Sequence, residues 1–158
     1  MILRLIIFLA LNLGALALGG LFTSKGVSSD WYVELQKAPW TPPGWVFGAA
    51  WTTIMICLSV YMAYLWPVSA NKNLLIWLYV IQLILNIGWN PTFFYYHNVL
   101  GGLMLICGLT ILIGFMLFFY FPQLKLISIL IVPYLIWLMI ATSLNLYIWI
   151  KQITTVSS

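Results

Sequence analysis

Residues 73–124 read NLLIWLYVIQLILNIGWNPTFFYYHNVLGGLMLICGLTILIGFMLFFYFPQL, a stretch that contains no Lys, Arg, Asp or Glu. A transmembrane helix needs about 20 apolar residues, so this stretch is long enough for two crossings. Near its middle, His97-Asn98 stands just before Gly101-Gly102, a combination that is typical of a turn. The stretch therefore predicts two transmembrane helices joined by a short connection.

Three further stretches are free of charged residues, namely Leu5–Ser24, Ala38–Asn71 and Leu126–Ile150. Each is long enough for one crossing. The apolar runs are continuous rather than alternating, which favours α-helices over a β-barrel. We therefore predict an all-α integral membrane protein, a single domain over residues 1–158, with five spans at about 2–22, 46–65, 74–95, 99–121 and 126–150.

The composition excludes most other classes of protein. Hydrophobic residues make up 65% of the chain and charged residues 5%, against about 45–50% and about 25% in soluble domains. So few charges cannot cover a soluble surface, and so much hydrophobicity excludes disorder. The net charge of +4 comes from cations scattered along the chain, so nucleic acid is not expected as a partner, whereas the lipid bilayer is.

The first span has an alternative interpretation as a signal peptide. Arg4 supplies a small positive region, and Ala15-Leu16-Ala17 resembles a cleavage site. The apolar run continues to Phe22, which favours a membrane span. Five spans place three cations on each side of the membrane, so the positive-inside rule gives no preferred orientation; the two sets are Arg4, Lys72 and Lys125, and Lys25, Lys37 and Lys151.

The first loop, about residues 23–44, combines prolines with aromatic residues. Pro39, Pro42 and Pro43 stiffen the chain, and Pro42-Pro43 is suited to starting the second span, because the first N–H groups of a helix need no intrahelical partner. Two interpretations of the aromatic residues stay open. They form an interfacial belt, or they form a stiff lid over the mouth of the bundle.

Polar residues follow one face of the third span. Gln82, Asn86, Trp89 and Phe93 fall on a single stripe at helical periodicity. Polar groups at membrane depth are costly unless they face protein or a wet cavity. The stripe therefore predicts either hydrogen bonds between helices or one wall of a ligand site.

The fifth span has a comparable stripe. Pro133, Trp137, Ala141 and Asn145 follow one another at steps of four residues, and Ala141 opens a notch between an indole and an amide. Such a face suits a flat apolar ligand, and it also suits plain packing. Trp51, early in the second span, is placed to complete the wall.

Several kinds of chemistry are not expected. No carboxylate and no lysine lies within a predicted span, and no nucleophile–base pair or metal-binding spacing occurs. The single histidine, His97, is expected to be an interfacial loop residue rather than a haem ligand. The sequence thus predicts no metal site and no hydrolytic enzyme.

Three separate blocks resemble the TspO/MBR family, the tryptophan-rich sensory proteins and translocator proteins. The first runs from Pro39 to Phe47 with Trp51-Thr52, the second from Gln82 to Phe94, and the third from Pro133 to Asn145. The resemblance extends from about Trp31 to Trp149, and the blocks occur in the family's order.

The resemblance implies five transmembrane helices around a central cavity that the first loop caps, and a homodimer. It implies a receptor or sensor for a tetrapyrrole such as protoporphyrin or haem, or for another flat apolar ligand, with no cofactor required; the alternative is a transporter of tetrapyrroles or sterols. It places the chain in a bacterial cell membrane, with the mitochondrial outer membrane as the alternative. By motif position, the ligand-binding residues are Trp40, Trp51, Asn86, Trp89, Trp137 and Ala141.

Some members of the family are associated with breakdown of protoporphyrin in light. If this chain does the same, the pigment supplies the reactive chemistry and the protein positions it. The candidate catalytic residues are then Trp51 and Trp137, because an indole beside an excited macrocycle is an oxidisable partner.

Three positions depart from the family's pattern. Ala38 separates Lys37 from Pro39, Met55 stands where many members have a pocket tyrosine, and Ile140 precedes Ala141 in place of a small or aromatic residue. We expect Ile140 to narrow the notch at Ala141.

Two weaker patterns complete the sequence-based predictions. A sterol-binding motif is matched by Leu144, Tyr147 and Lys151, which also fit an ordinary helix end. Small residues suggest dimerisation through helix faces, although packing within one bundle uses them equally well; they are Ala10-xxx-Gly14 and Ala15-xxx-Gly19 in the first span, and Gly101, Gly108 and Gly114 in the fourth.

Overall fold

A computed structural model of the protein describes the backbone of residues 1–156 and the side chains of residues 1–154. Five long helices form the molecule. They are α1 (Ile2–Gly26), α3 (Gly44–Val68), α4 (Lys72–Phe94), α5 (Val99–Leu124) and α6 (Val132–Val156). A short helix, α2 (Asp30–Glu34), lies in the first loop, and a 3-10 helix (Lys125–Ile131) connects α5 to α6.

Four helical stretches have the length and hydropathy of membrane spans, and the last of them, Val99–Thr154, contains both α5 and α6. A single helix of its 56 residues would be roughly 84 Å long, against about 30 Å for the hydrocarbon core of a bilayer. The chain instead folds back on itself between α5 and α6. The distance of 3.2 Å between Thr110 Oγ1 and Thr142 Oγ1 shows that these two helices pack side by side. The predicted all-α membrane bundle is confirmed.

The start of the last helix differs from the predicted span. Residues 126–131 belong to the 3-10 helix, and α6 begins at Val132. Lys125 has a φ of 47°, a left-handed conformation that an α-helix cannot continue through. Pro133 then lies in the first turn of α6, where its missing N–H costs no hydrogen bond.

Capping residues set the other helix ends. Pro43 is the N-cap of α3, in agreement with the prediction that the proline pair starts the second span. Asn71 accepts a hydrogen bond from the Leu74 N–H at the start of α4, and Asn98 accepts one from the Gly101 N–H at the start of α5. The turn predicted between α4 and α5 is therefore present.

Three buried hydrogen bonds between side chains join the helices. Asn12 of α1 donates to Ser59 Oγ of α3 at 2.8 Å and accepts from Tyr79 OH of α4 at 2.8 Å. Gln82 of α4 donates to Tyr134 OH of α6 at 2.9 Å. For Gln82, then, the interhelical interpretation of the polar stripe is correct.

Glycines allow α1 to approach α4 closely. A Cβ added to Gly19 would lie 2.6 Å from Asn90 Nδ2. In α5, Gly101, Gly108 and Gly114 face side chains of the same bundle, as Gly19 does. These glycines pack against side chains of the same protomer. Of the small residues that were predicted to support dimerisation in α1, Ala10 and Gly14 are the exposed ones.

Candidate functional site

A cavity of about 650 Å³ lies among α1, α3, α4 and α6 beneath the first loop. This volume falls within the range of about 300–1,000 Å³ that is typical of small-molecule sites. Its lining is mainly apolar and aromatic. The residues that line it are Ala15, Leu16, Gly19, Gly20, Thr23, Ser24, Val27, Tyr32, Lys37, Thr41, Pro42, Gly44, Phe47, Gly48, Trp51, Asn86, Trp89, Asn90, Phe93, Phe94, Trp137, Ala141, Leu144, Asn145 and Ile148.

The structure brings together five of the six residues predicted to bind the ligand. Trp51 of α3, Asn86 and Trp89 of α4, and Trp137 and Ala141 of α6 all line the cavity. They come from three helices, and each lies on the inward stripe of its own helix. Their role in binding stays a prediction.

Trp40, the sixth predicted residue, lies outside the cavity. Its indole Nε1 donates to Ser143 Oγ at 3.2 Å, and its ring packs edge-on against Tyr147. The cause is a tight turn in which the Thr41 N–H and hydroxyl both bond to the Ala38 carbonyl. This turn directs Trp40 onto the outer surface of α6, so Trp40 does not line the cavity, and its role in ligand binding stays a prediction.

A second aromatic ring holds each of the cavity tryptophans. Trp51 packs edge-on against Tyr134 at 5.9 Å between ring centroids, and Trp137 packs edge-on against Phe47 at 5.4 Å. Trp89 stacks on Phe93 at 5.5 Å. Such pairs contribute about 0.5–1.5 kcal/mol each beyond burial. The indole walls are therefore fixed before any ligand arrives.

Unpaired polar atoms belong to the same walls. Trp89 Nε1, Trp137 Nε1 and Asn145 Oδ1 are buried and have no hydrogen-bond partner among the described residues. The Asn145 amide nitrogen, by contrast, donates to the Val99 carbonyl at 3.1 Å. A buried unpaired polar group costs about 1–3 kcal/mol. Asn145 Oδ1 lies against α5, 3.5 Å from the position of a Cβ added to Gly102, so this amide faces the neighbouring helix.

One wall of the cavity comes from α1, which the sequence did not assign to the site. Ala15, Gly19 and Thr23 recur at helical spacing along it. Thr23 Oγ1 donates to Asn90 Oδ1 at 2.5 Å, which joins α1 to α4 at the rim. The Ala15-xxx-Gly19 pair that suggested dimerisation therefore lines the cavity instead.

Residues 30–43, which we call the lid, cover the mouth of the cavity. Trp31 stacks on His97 of the α4–α5 turn, and Tyr32 packs on Phe94 at the end of α4. Tyr32 and Pro42 line the cavity from this side. Trp31 and Tyr32 thus pack onto the end of the bundle, which favours the lid interpretation of the first loop, and the belt at the membrane interface stays a prediction.

The lid carries a cation beside a neutral phenol. Lys37 Nζ lies 4.6 Å from the centroid of the Tyr32 ring and donates to the Val33 carbonyl at 3.1 Å. Burial raises the pKa of the Tyr32 hydroxyl above its usual value, so this ring stays uncharged at neutral pH.

Two of the family departures lie outside the cavity lining. Met55 is fully buried, and its sulfur lies 4.0 Å from Asn86 Nδ2. Ile140 is exposed on α6 and does not line the cavity. Its predicted narrowing of the Ala141 notch was wrong, because a residue one step before Ala141 points about 100° away around the helix.

The sterol motif contributes one residue to the cavity. Leu144 is buried and lines it. Tyr147 packs against Trp40, and Lys151 Nζ lies 5.5 Å from the centroid of the Tyr147 ring. A role of these three residues in sterol binding stays a prediction.

These features define a class of protein: a multi-span membrane protein that encloses a tryptophan-lined cavity of ligand size beneath a proline-rich loop. The profile of the TspO/MBR family matches residues 6–150. The chain belongs to the TspO/MBR family, as the resemblance of its three motif blocks predicted.

Relatives occur in bacteria and in mammals. The chain is 35% identical to the tryptophan-rich protein TspO of Chlorobaculum tepidum over 91% of this chain and 92% of that protein. It is 30% identical to protein CrtK of Rhodobacter capsulatus over 75% and 76%. It is 32% identical to the human translocator protein over 78% and 76%. The multi-pass membrane localisation is confirmed, and the bacterial relatives agree with the predicted bacterial membrane.

Proposed function

We propose that the protein is a membrane receptor or sensor that binds a porphyrin-like ligand inside its helix bundle. The observation that carries the proposal is the cavity itself, in which Trp51, Trp89 and Trp137 supply flat aromatic walls from three helices. Relatives named as tryptophan-rich sensory proteins support the sensory part. A flat macrocycle uses such walls well, because stacking rewards large planar surfaces.

The shape and the polarity of the cavity support the same ligand class. Its volume of about 650 Å³ suits a single macrocycle-sized molecule. The lining is mainly apolar and aromatic, with the amides of Asn86 and Asn90 among its few polar groups. Such a surface favours a ligand that is mostly apolar and carries a small number of polar groups.

Titration of protoporphyrin into the protein in mild nonionic detergent tests the proposal. We expect a saturable change of the porphyrin absorbance with one ligand for each chain. The Ala141→Leu variant should weaken binding about tenfold or more, because the added side chain fills part of the cavity. Ala49→Leu adds the same volume at an exposed position of α3 outside the cavity and serves as the control. Unsaturable partitioning, or equal affinity of both variants, would contradict the proposal.

We further propose that two copies associate through the outer face of α1. Ala10 and Gly14 are exposed there, and within the described part of the chain no atom outside the local turn of α1 lies within 4 Å of a Cβ added to Gly14. Small residues allow helices to approach closely in lipid. The mass in mild detergent should correspond to a dimer for the parent and for Ala49→Leu, and to a monomer for Gly14→Leu. A dimer in all three would exclude this face.

A further inference from the structure

Among the residues that the structure describes, a single charged one lines the cavity. Lys37, in the lid, is that residue, and the remaining lining side chains are apolar, aromatic or neutral. Asp and Glu do not occur in the lining. Asp30 and Glu34 of the lid lie outside the lining. The charge within the lining is therefore positive, which favours a ligand with an anionic group beside Lys37.

The protein leaves this charge uncompensated. Lys37 contacts a carbonyl, that of Val33, and the neutral ring of Tyr32, and it makes no ion pair within the part of the chain that the structure describes. An ammonium group has three donors, and the Val33 carbonyl uses one. The other two are available to an incoming acceptor.

The cavity walls and the lid thus present two different chemistries to a ligand. The indoles of Trp51 and Trp137 offer apolar surface inside the bundle, and Lys37 offers a positive charge on the lid. Together they match an amphiphile whose flat apolar body carries an acid group at its edge.

We propose that Lys37 selects ligands that bear a carboxylate, by pairing with that group while the apolar body lies among the tryptophans. This inference rests on the proposed function and adds the chemical class of ligand that the site prefers. Charge-assisted hydrogen bonds are about twice as strong as neutral ones, so replacing the acid by a neutral ester should be detectable as a loss of affinity.

The test compares protoporphyrin with its dimethyl ester on the parent protein and three variants. Binding is measured in a nonionic detergent, where no anionic headgroup competes, and the result is the ratio of the two dissociation constants. Partitioning into micelles is the same for every variant, so it cancels when the ratios are compared. Lys25→Met is the control, because Lys25 is an exposed lysine at the end of α1 that does not line the cavity.

We expect the parent to bind the acid roughly tenfold more tightly than the ester. Lys37→Met should reduce this ratio to about one, whereas Lys37→Arg and Lys25→Met should retain it. Equal affinity of the parent for both ligands, or retained preference in Lys37→Met, overturns the inference alone. Failure of both ligands to bind the parent saturably contradicts the proposed function and this inference with it.

Discussion

The indole of Trp31 lies flat on the imidazole of His97, with 4.1 Å between the ring centroids and 10° between the ring planes. Trp31 belongs to α2 in the lid, and His97 belongs to the turn between α4 and α5. The same indole packs edge-on against Phe93 at 5.5 Å, and Phe93 lines the cavity. One aromatic residue therefore fastens the lid to the bundle next to the site.

Removal of this ring should loosen the lid. An aromatic pair contributes about 0.5–1.5 kcal/mol beyond its burial, so we expect Trp31→Ala to speed dissociation of bound protoporphyrin by up to about tenfold. Hydrogen exchange should also rise at the amides of residues 30–36. Trp45→Ala is the control, because Trp45 is 74% exposed. Unchanged dissociation and exchange in Trp31→Ala would show that the stacking does not hold the lid.

The close approach of α1 and α4 should make Gly19 sensitive to substitution. Gly19→Ala would force Asn90 to move, and Asn90 is held by Thr23 at 2.5 Å and by the Asn86 carbonyl at 3.2 Å. We expect the free energy of unfolding to fall by about 1–3 kcal/mol, as measured by denaturation in mixed micelles.

Gly14→Ala provides the matched comparison on the same helix. An added Cβ there has nothing within 4 Å, and alanine has the higher helix propensity by up to about 1 kcal/mol. Stability should therefore be retained or rise slightly. If the two alanines had the same effect, the Gly19–Asn90 approach would not limit the packing.

The Asn12 network should stabilise the bundle cooperatively. Asn12→Ala leaves both the Ser59 and Tyr79 hydroxyls without that partner, so we expect a loss of about 1–2 kcal/mol. A double-mutant cycle with Tyr79→Phe should give a coupling energy of roughly 0.6–1.7 kcal/mol. Asn73→Ala, at an exposed position of α4, should have little effect. Strict additivity of the two changes in the cycle would contradict the network.

Light-dependent loss of bound porphyrin tests the predicted catalytic role of Trp51 and Trp137. Both residues line the cavity, so both would lie beside an excited macrocycle. With dioxygen as the oxidant, illumination should reduce the porphyrin absorbance more slowly in the Trp51→Phe, Trp137→Phe double variant than in the parent. Trp77→Phe is the control, since Trp77 is 65% exposed and does not line the cavity. Equal bleaching of all three proteins at equal occupancy would exclude a role for these tryptophans.

The membrane fold and most of the predicted binding residues could be derived from the sequence, because both depend on patterns within single helices. Runs without charged residues mark the spans. Helical periodicity places Asn86 and Trp89 on one face of their helix, and Trp137 and Ala141 on one face of theirs. A stripe of this kind is a property of one helix and needs no knowledge of its neighbours.

What the sequence did not reveal depends on contacts between distant segments. Trp40 faces outward because of a turn closed by Ala38 and Thr41, and a motif position does not specify that direction. Asn90 joins the site through Thr23, which is 67 residues away along the chain. The proposed role of Lys37 depends equally on the lid folding over the cavity, although a lysine among the aromatic and proline residues of the first loop was a visible signal.

The most direct test of the central claim is a structure of the protein with protoporphyrin in a lipid bilayer. The claim predicts density for one macrocycle inside the bundle, in contact with Trp51, Trp89 and Trp137 and beneath the lid. Density instead on the outer surface of α6, beside Trp40 and Tyr147, would contradict it and would show that the cavity is not the ligand site.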